Sequence, residues 1–502
     1  MKDTAEFKDF SMGLNDTVYA NVIGDKELSK IENAVIGVGE IRKRTGYKQV
    51  AYVGDKITGA YTFLKSDGTN ELLMMGDRLR RWNGKFFVDI PGPPSTGDRA
   101  NFITMKDRKG NRVVLVANNI SLKVYAENQL SSVTAYVPTA DEQRNPGLND
   151  IGSLFNCKYM AFFGGRLFVV GHDIKNRVSF SHIDPKLGYA VYDYFPAINF
   201  FDVASNENDE IVGLVTFRNS LIIFCRHSIW ALYGKTTYDY ELVKINTPTG
   251  CMAPESIQVV GNQIFYLSDT HVYGLFANDF NMVSAQIITK QIESTMRAIP
   301  LTEKNKAVAG YFEGKYYLSF PNGKTLVYDE LLVCWTVYSN IKADVFVNYD
   351  GNFYFGSNKN AYVFHPEYHD DGKPIPFRME TKYFDFGLMT QDKKIHRIWL
   401  HSNQPNGYRL GVKLDFETKQ VDGTRPNAAN VSNWDEAIWD QNTFDRIEMY
   451  INRLRVNNRT KKIGMIIEDV THIRPFVVYG IGVQYELKRR KETSYGTNSK
   501  KI

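Results

Sequence analysis

Between Ile211 and Phe276, short runs of β-branched and aromatic residues alternate with polar breaks, and the order repeats. Shifting IVGLVTFRNSLIIFCRHSIWALYG forward by 43 residues lays it on SIQVVGNQIFYLSDTHVYGLFA. Leu214 then falls on Ile257, Asn219 on Asn262, Leu221 on Ile264, Trp230 on Tyr273 and Leu232 on Leu275. Apolar runs of this length, cut by Arg-Asn, Gly-Asn or Ser-Asp-Thr, read as strands joined by tight turns. A strand–turn–strand–turn–strand unit recurring at this length is the pattern of a propeller blade. Similar phrases occupy Ile57–Trp82, Asn101–Tyr125, Tyr159–Ser181, Ala307–Asp329 and Val345–Pro366, which makes seven units with room for one more strand in each. The reading is a mainly β chain with a six- or seven-bladed β-propeller-like domain over residues 51–370. A β-sandwich built from the same hairpins is the alternative.

After HPEYHDDGKPIP the strand runs lengthen and alternate strictly, as in KKIHRIWLHS and PFVVYGIGVQYELK. This predicts an antiparallel β-sandwich domain over residues 371–488, with one face toward water. RRKETSYGTNSKKI then reads as a basic, disordered tail, residues 489–502. Residues 1–50 read as an arm able to add a strand to that sandwich. It holds a helical turn around Glu27–Asn33 and a strand kinked at Gly37 and Gly39. Ser284–Met296 reads as a short helix. The polar span Glu127–Ser153 has no strong strand run, and a loop of that length is functional or mobile.

No apolar run reaches the ~18 residues of a membrane span, and the start of the chain has no apolar leader. Cys157, Cys225, Cys251 and Cys334 are far apart and sit mostly in apolar runs. They read as buried free thiols of a protein made in a reducing cytoplasm. Net charge is +5, weak for a nucleic-acid binder, but it is unevenly spread. Residues 373–502 hold 23 Lys and Arg against 15 Asp and Glu, and the remainder of the chain carries −3. The positive charge therefore belongs to the C-terminal quarter, which bears on partners and not on fold.

Motifs for chemistry are sparse. His365 and His369 have the spacing of helical metal ligands, but they flank Pro366 and precede Asp-Asp-Gly, so they read as linker residues. The acidic run Asn206–Glu210 lacks the alternating ligands of a calcium loop. Ser66-Asp67-Gly68-Thr69 reads as a plain hairpin turn. Gly37 and Gly39 lack the third glycine of a nucleotide loop, since Arg42 stands in its place. No catalytic site, metal or cofactor is expected.

Three clusters of residues carry a resemblance. The first is Gly13-Leu14-Asn15 with Leu28, Asn33 and Gly39-x-Ile-Arg-x-Arg-x-Gly46-Tyr47. The second is FRNSLIIFCRHSIWALYG with Gly250-Cys251, Ser256-Ile257 and IFYLSDTHVYGLF. The third is TKYFDFG, KKIHRIWL and PFVVYGIGVQYEL. Over nearly its whole length the chain resembles the tail nozzle proteins of short-tailed bacteriophages, also called tail tubular protein B or tail-hub stabilisation proteins. The resemblance implies a structural virion protein of the tail, assembled in the host cytoplasm. It implies a homo-oligomeric, hexameric ring below the portal and adaptor that extends and closes the DNA channel and opens for genome ejection. Partners would be portal- and adaptor-side tail proteins, distal tail or fibre proteins, and packaged double-stranded DNA held without sequence preference. A host-glycan-binding propeller and a propeller glycoside hydrolase are the other readings.

Two sets of residues are candidates for contact. Arg453, Arg455, Arg459, Lys461 and Lys462 fall within INRLRVNNRTKKIGM, where Val456–Thr460 reads as a hairpin turn and Arg453 and Arg455 share a strand face. This cluster would face a DNA-filled lumen, the outer solvent or an acidic partner. Trp434 and Trp439, in the polar loop Val421–Asp445, would meet a neighbouring subunit or partner, or fold back on their own sandwich.

Overall fold

The structure, a computed structural model, describes residues 2–95, 99–150, 152, 157–171, 173–204, 209–277, 283–404, 407–415, 417–421, 450–470 and 472–488. The chain divides into two compact units, Met1–Thr45 with Leu332–Val337 and Glu367–Ile502, and Gly46–Leu331 with Tyr338–Pro366.

The second unit is a seven-bladed β-propeller. The inner strands of its blades are Gly59–Leu64, Asn101–Lys106, Tyr159–Phe163, Ile211–Phe217, Ala253–Val260, Val308–Phe312 and Val345–Tyr349. Each touches the next in that order, and the seventh touches the first, so the ring is closed. From each inner strand the chain zigzags outward through antiparallel neighbours. In blade 4 these are Ser220–Cys225, Ile229–Tyr233 and Glu241–Lys244. Blade 5 repeats the plan with Gln263–Leu267, Val272–Ala277 and Val283–Ile287. The 43-residue self-match in the sequence is therefore one blade laid on the next.

The seventh blade takes its outer strand from the front of the chain. Tyr47–Tyr52 pairs antiparallel with Asn360–Phe364, joining the two ends of the propeller within one sheet. The Tyr47 ring meets Phe355, Tyr362 and Phe364 edge-on, and its hydroxyl donates to the Asn340 carbonyl at 2.8 Å. Sequence reading placed this strand at the end of the arm.

Apolar layers fill the space between blades. Leu73, Met75, Val114, Val116 and Tyr125 form one between blades 1 and 2. Phe168, Phe180, Leu221, Ile223 and Leu232 form another between blades 3 and 4. Burial of such side chains stabilises by roughly 1.5–3 kcal/mol each. Inner strands approach closely where a glycine permits it. A Cβ on Gly310 in blade 6 would lie 2.6 Å from Phe346 Cβ in blade 7.

The first unit is a β-sandwich. One sheet runs Ala34–Gly37, Glu40–Lys43, Val477–Leu487, Lys393–Ser402, Tyr450–Thr460, and Asp3–Phe7 also pairs antiparallel with Val477–Leu487. The other holds Glu27–Glu32, Phe377–Thr381, Ile463–Asp469, Arg409–Leu414 and Glu417–Val421. Alternate residues are buried, among them Ile395, Ile398, Leu400, Ile481 and Val483 in the first sheet, and Met379, Val412, Ile463, Met465 and Ile467 in the second.

A buried polar network fixes the arm in this unit. Arg44, 1% exposed, donates two hydrogen bonds to Asp370, 4% exposed, at 2.6 and 2.8 Å. Its Nε donates to Asn33 Oδ1 at 2.8 Å, and Asn33 Nδ2 donates to the Pro376 carbonyl at 2.8 Å. Nearby, Lys43 faces Asp469 at 3.4 Å and donates to the His472 carbonyl at 2.7 Å; burial lowers its pKa.

Three local expectations are corrected. Glu27–Glu32 is a strand, not a helical turn, because Phe377–Thr381 offers it a ladder along its length. Within Ser284–Met296 the first residues belong to the outer strand of blade 5, and only Glu293–Arg297 is α-helical, after a 3-10 turn at Lys290–Ile292. The span Glu127–Ser153 contains the outer strand of blade 2, Gln129–Ser132, and a capped helix, Ala140–Arg144. Asn149 Nδ2 donates to the carbonyls of Tyr136 and Asp193, each at 2.9 Å, so this loop is fastened to blade 3. The four cysteines are buried free thiols.

Candidate functional site

The basic segment of the sandwich departs from its expected shape. Val456–Thr460 is not a hairpin turn. Tyr450–Thr460 is one continuous strand, paired with Lys393–Ser402 from Ser402↔Tyr450 to Lys393↔Thr460. Asn457, at φ +51°, takes the left-handed conformation inside the strand, opposite an irregularity between Ile395 and Arg397. The Asn-Asn pair thus marks a bulge and not a chain reversal. After Lys461-Lys462 the chain passes to Ile463–Asp469, which lies in the other sheet, so this is a corner between sheets and no hairpin tip exists. Lys393 fastens the corner from inside. Its buried ammonium donates to the carbonyls of Leu388, Gln391 and Lys461, the last at 2.7 Å, and burial lowers its pKa.

Strand alternation puts Arg453, Arg455 and Arg459 on the open face, as the burial pattern shows, while Leu454 and Thr460 turn inward. Cross-strand partners extend the face. Arg455 lies opposite Arg397, Arg453 opposite Trp399, and Arg459 opposite Lys394. Arg459 also pairs with Asp392 at 3.0 Å, an exposed bridge worth little in water. Trp399 lies against Gly482 of the next strand, where an added Cβ would come 3.1 Å from its ring. The result is a basic sheet face, floored by an indole, carrying Lys394, Arg397, Arg453, Arg455 and Arg459. Lys461 is exposed at the corner, and Lys462 lies 4.8 Å from the Tyr383 ring centroid. The corner pair therefore does not extend the strand's cationic row. Trp434 and Trp439 lie outside the described residues.

A second basic region, which sequence reading missed, lies at one end of the propeller channel. A cavity of about 670 Å³ opens where the inner strands begin. Lys56, Arg99, Lys158, Lys306 and Lys342 line it, together with Glu255 and Asp344. Burial pushes the Glu255 carboxyl up, partly offset by Arg99 and Lys158. Glu255 is half-buried, so the shift comes from partial desolvation at the cavity wall. Arg99 donates to the Asp344 main-chain carbonyl, and Asp344 Oδ2 accepts from the Asn358 N–H at 2.6 Å. At the opposite end, Tyr61, Thr62, Leu64, Phe162 and Tyr189, with Lys106 and Arg112, line an opening of about 530 Å³.

The weaker sequence signals resolve simply. His369 Nε2 lies 2.7 Å from Glu367, and its Nδ1 accepts from the Gly372 N–H, within a tight turn and not a helix. Asp209 takes the N–H of His227 and the Ser228 hydroxyl, capping a turn in blade 4; the remainder of that acidic run lies largely outside the described residues. Ser66–Thr69 is the hairpin turn expected, with Asp67 accepting from Thr69. Gly37 and Gly39 belong to the hairpin joining Ala34–Gly37 to Glu40–Lys43, with Gly39 at φ +77°.

No protein-family model matches the chain, and no curated protein is similar enough in sequence to count as a relative. Among solved structures it is similar to the WD40 domain of Neurospora crassa Pan2, at 11% identity and TM-score 0.38, covering 63% of this chain and 94% of that one. It is similar to BamB from Moraxella catarrhalis at 12% identity and TM-score 0.37, over 68% and 92% of the two chains. The extracellular domain of the one-component system BT4673 from B. thetaiotaomicron gives 11% identity and TM-score 0.45, over 83% of this chain and 61% of that one.

Proposed function

We propose that this chain is a structural subunit of a short-tailed phage nozzle, assembling as a ring around the DNA path. One observation carries the reading. Several residues of the arm that resemble the nozzle family, Gly13, Asn15, Asn33 and Arg44, have a specific structural task in the sandwich. Gly13, at φ +67°, sits where a Cβ would strike the Trp335 carbonyl at 2.9 Å. Asn15 donates to Glu27 at 2.9 Å, and Asn33 and Arg44 form the buried network with Asp370. That several residues of the resembling pattern have structural tasks in the arm supports the reading.

The basic sheet face suits contact with duplex phosphate. Its five cations are spread over two neighbouring strands, and rotational symmetry would repeat them around a lumen. A single basic belt would centre DNA without gripping it along the whole channel. Imaging the purified full-length chain by negative stain tests the assembly. Rings with a central hole support the reading, and monodisperse monomers at micromolar concentration and near-physiological salt refute it.

A further inference from the structure

We propose that the cationic end of the propeller channel is a binding site for a linear polyphosphate, free or carried on a nucleoside. The cations come from five different blades, all from the segments that lead into the inner strands. Lys56, Arg99, Lys158, Lys306 and Lys342 each stand within three residues of the start of an inner strand, at Gly59, Asn101, Tyr159, Val308 and Val345. The propeller thus gathers cations from five of its seven blades around one cavity, with Glu255 of the fifth blade among them. None of the four lysines forms an ion pair with a described residue; Lys158 only lies 5.1 Å from the Tyr159 ring centroid. Of the two carboxylates present, Asp344 is engaged by the Asn358 N–H, and Glu255 is partly desolvated beside Arg99 and Lys158.

Arg99 and Lys158 are half-buried and Lys56, Lys306 and Lys342 exposed around the cavity; gathered there the like charges repel one another, and a multivalent anion relieves the arrangement. Lysines act as mobile point charges suited to phosphate, whereas planar carboxylate recognition favours paired arginines. Five cations against two carboxylates leave the cavity net positive, which a multivalent anion such as a chain of three phosphates offsets. A space of about 670 Å³ admits that chain and leaves room for a nucleoside. Glu255 tunes the site. Protonated, it can donate to a phosphate oxygen; ionised, it repels one. The groups facing it are Arg99, Lys158, Tyr159 and Cys251, with Lys306, Lys342, Lys56 and Asp344 around the same cavity.

Isothermal titration of the full-length chain with sodium tripolyphosphate, and separately with ATP free of magnesium, tests the proposal at fixed ionic strength. Saturable binding is expected, at least tenfold weaker in Lys158→Gln/Lys342→Gln and unchanged in the surface control Lys85→Gln/Lys109→Gln. Equal affinity for the two ligands assigns recognition to the phosphates alone, and tighter ATP binding adds a nucleoside contact; either supports the site. If the double variant misfolds by circular dichroism, Lys342→Gln alone serves. Glu255→Gln is expected to bind more tightly near neutral pH and to lose the rise in affinity that the parent shows on acidification. No binding, equal binding by the lysine variant, or equal competition by sulfate at matched ionic strength overturns the proposal. So does lysine-dependent binding of duplex DNA without binding of tripolyphosphate. This test reads the propeller alone, so its failure leaves the ring assembly untouched.

Discussion

Replacing Asp370 by Asn tests whether the arm is held by its buried ion pair. Arg44 and Asp370 are 1% and 4% exposed and share two hydrogen bonds. The substitution leaves the guanidinium buried with one charged acceptor gone. Removing one partner of a buried pair costs about 3–5 kcal/mol, because the remaining charge stays desolvated. At about 1.4 kcal/mol per tenfold, the opening equilibrium of the arm should rise by roughly two to three orders of magnitude. Hydrogen–deuterium exchange read by mass spectrometry resolves this locally. Peptides covering residues 27–45 and 377–381 should exchange at least about a hundredfold faster, while blade 4, residues 211–233, keeps its protection. The double variant Arg44→Met/Asp370→Leu should recover part of the loss, since it removes the stranded charge. Full recovery is not expected, because Asn33 and the Thr45 carbonyl also lose their donor. Unchanged exchange in the arm, or a double variant as damaged as the single, would refute the reasoning.

Four further outcomes are expected. Gly310→Ala should lower the propeller's melting temperature by the equivalent of about 1–3 kcal/mol, since its Cβ must displace Phe346; a neutral result in calorimetry would mean the blades yield there. Native protein at pH 8 should resist alkylation, because Cys157 and Cys251 are buried and burial pushes their thiols up to about 12; urea-unfolded protein should react at all four. Glu255 has a raised pKa in the folded state, so folding favours its protonated form and stability falls as pH rises above the unfolded value; Glu255→Gln should therefore raise the propeller's midpoint at pH 7, with the gain vanishing toward pH 4. Under the nozzle reading, Arg397→Glu/Arg453→Glu/Arg455→Glu should leave rings intact and cut the salt dependence of duplex DNA binding by about two to three phosphate contacts, and an unchanged slope would place the basic face away from DNA.

Strand identity was legible where both partners of a pair lie close in the chain. The match of Leu214 with Ile257 and Trp230 with Tyr273 fell on true blade strands because hairpin order repeats locally. Errors arose where long-range pairing overrides local preference. Glu27–Glu32 carries helix-favouring Glu, Leu and Lys, yet it becomes a strand against residues 350 positions away. Asn457-Asn458 has turn chemistry, but a paired strand absorbs it as a bulge. The shared face of Arg453 and Arg455 was readable from strand alternation alone, whereas Arg397 and Lys394 join it only through register. The cationic channel end escaped notice for a different reason. Its members stand one per blade, and acidic residues between them bring the segment to −3. The five cations lie one to three residues before their inner strands, with no fixed offset that a reading of the sequence could align.

The two long-range pairings have a consequence for synthesis on the ribosome. Tyr47–Tyr52 leaves the exit tunnel with no partner until Asn360–Phe364 is made, and Asp3–Phe7 waits for Val477–Leu487. At roughly 10 residues per second these delays are on the order of 30 and 50 seconds. The propeller can close before the sandwich is complete, so the nascent chain carries a finished ring beside an arm still exposing unpaired strand edges. A growing sandwich edge held open for that long can pair with another copy of itself on the same polysome before its own C-terminal strand arrives. The order of translation thus imposes a period in which intermolecular and intramolecular strand exchange compete.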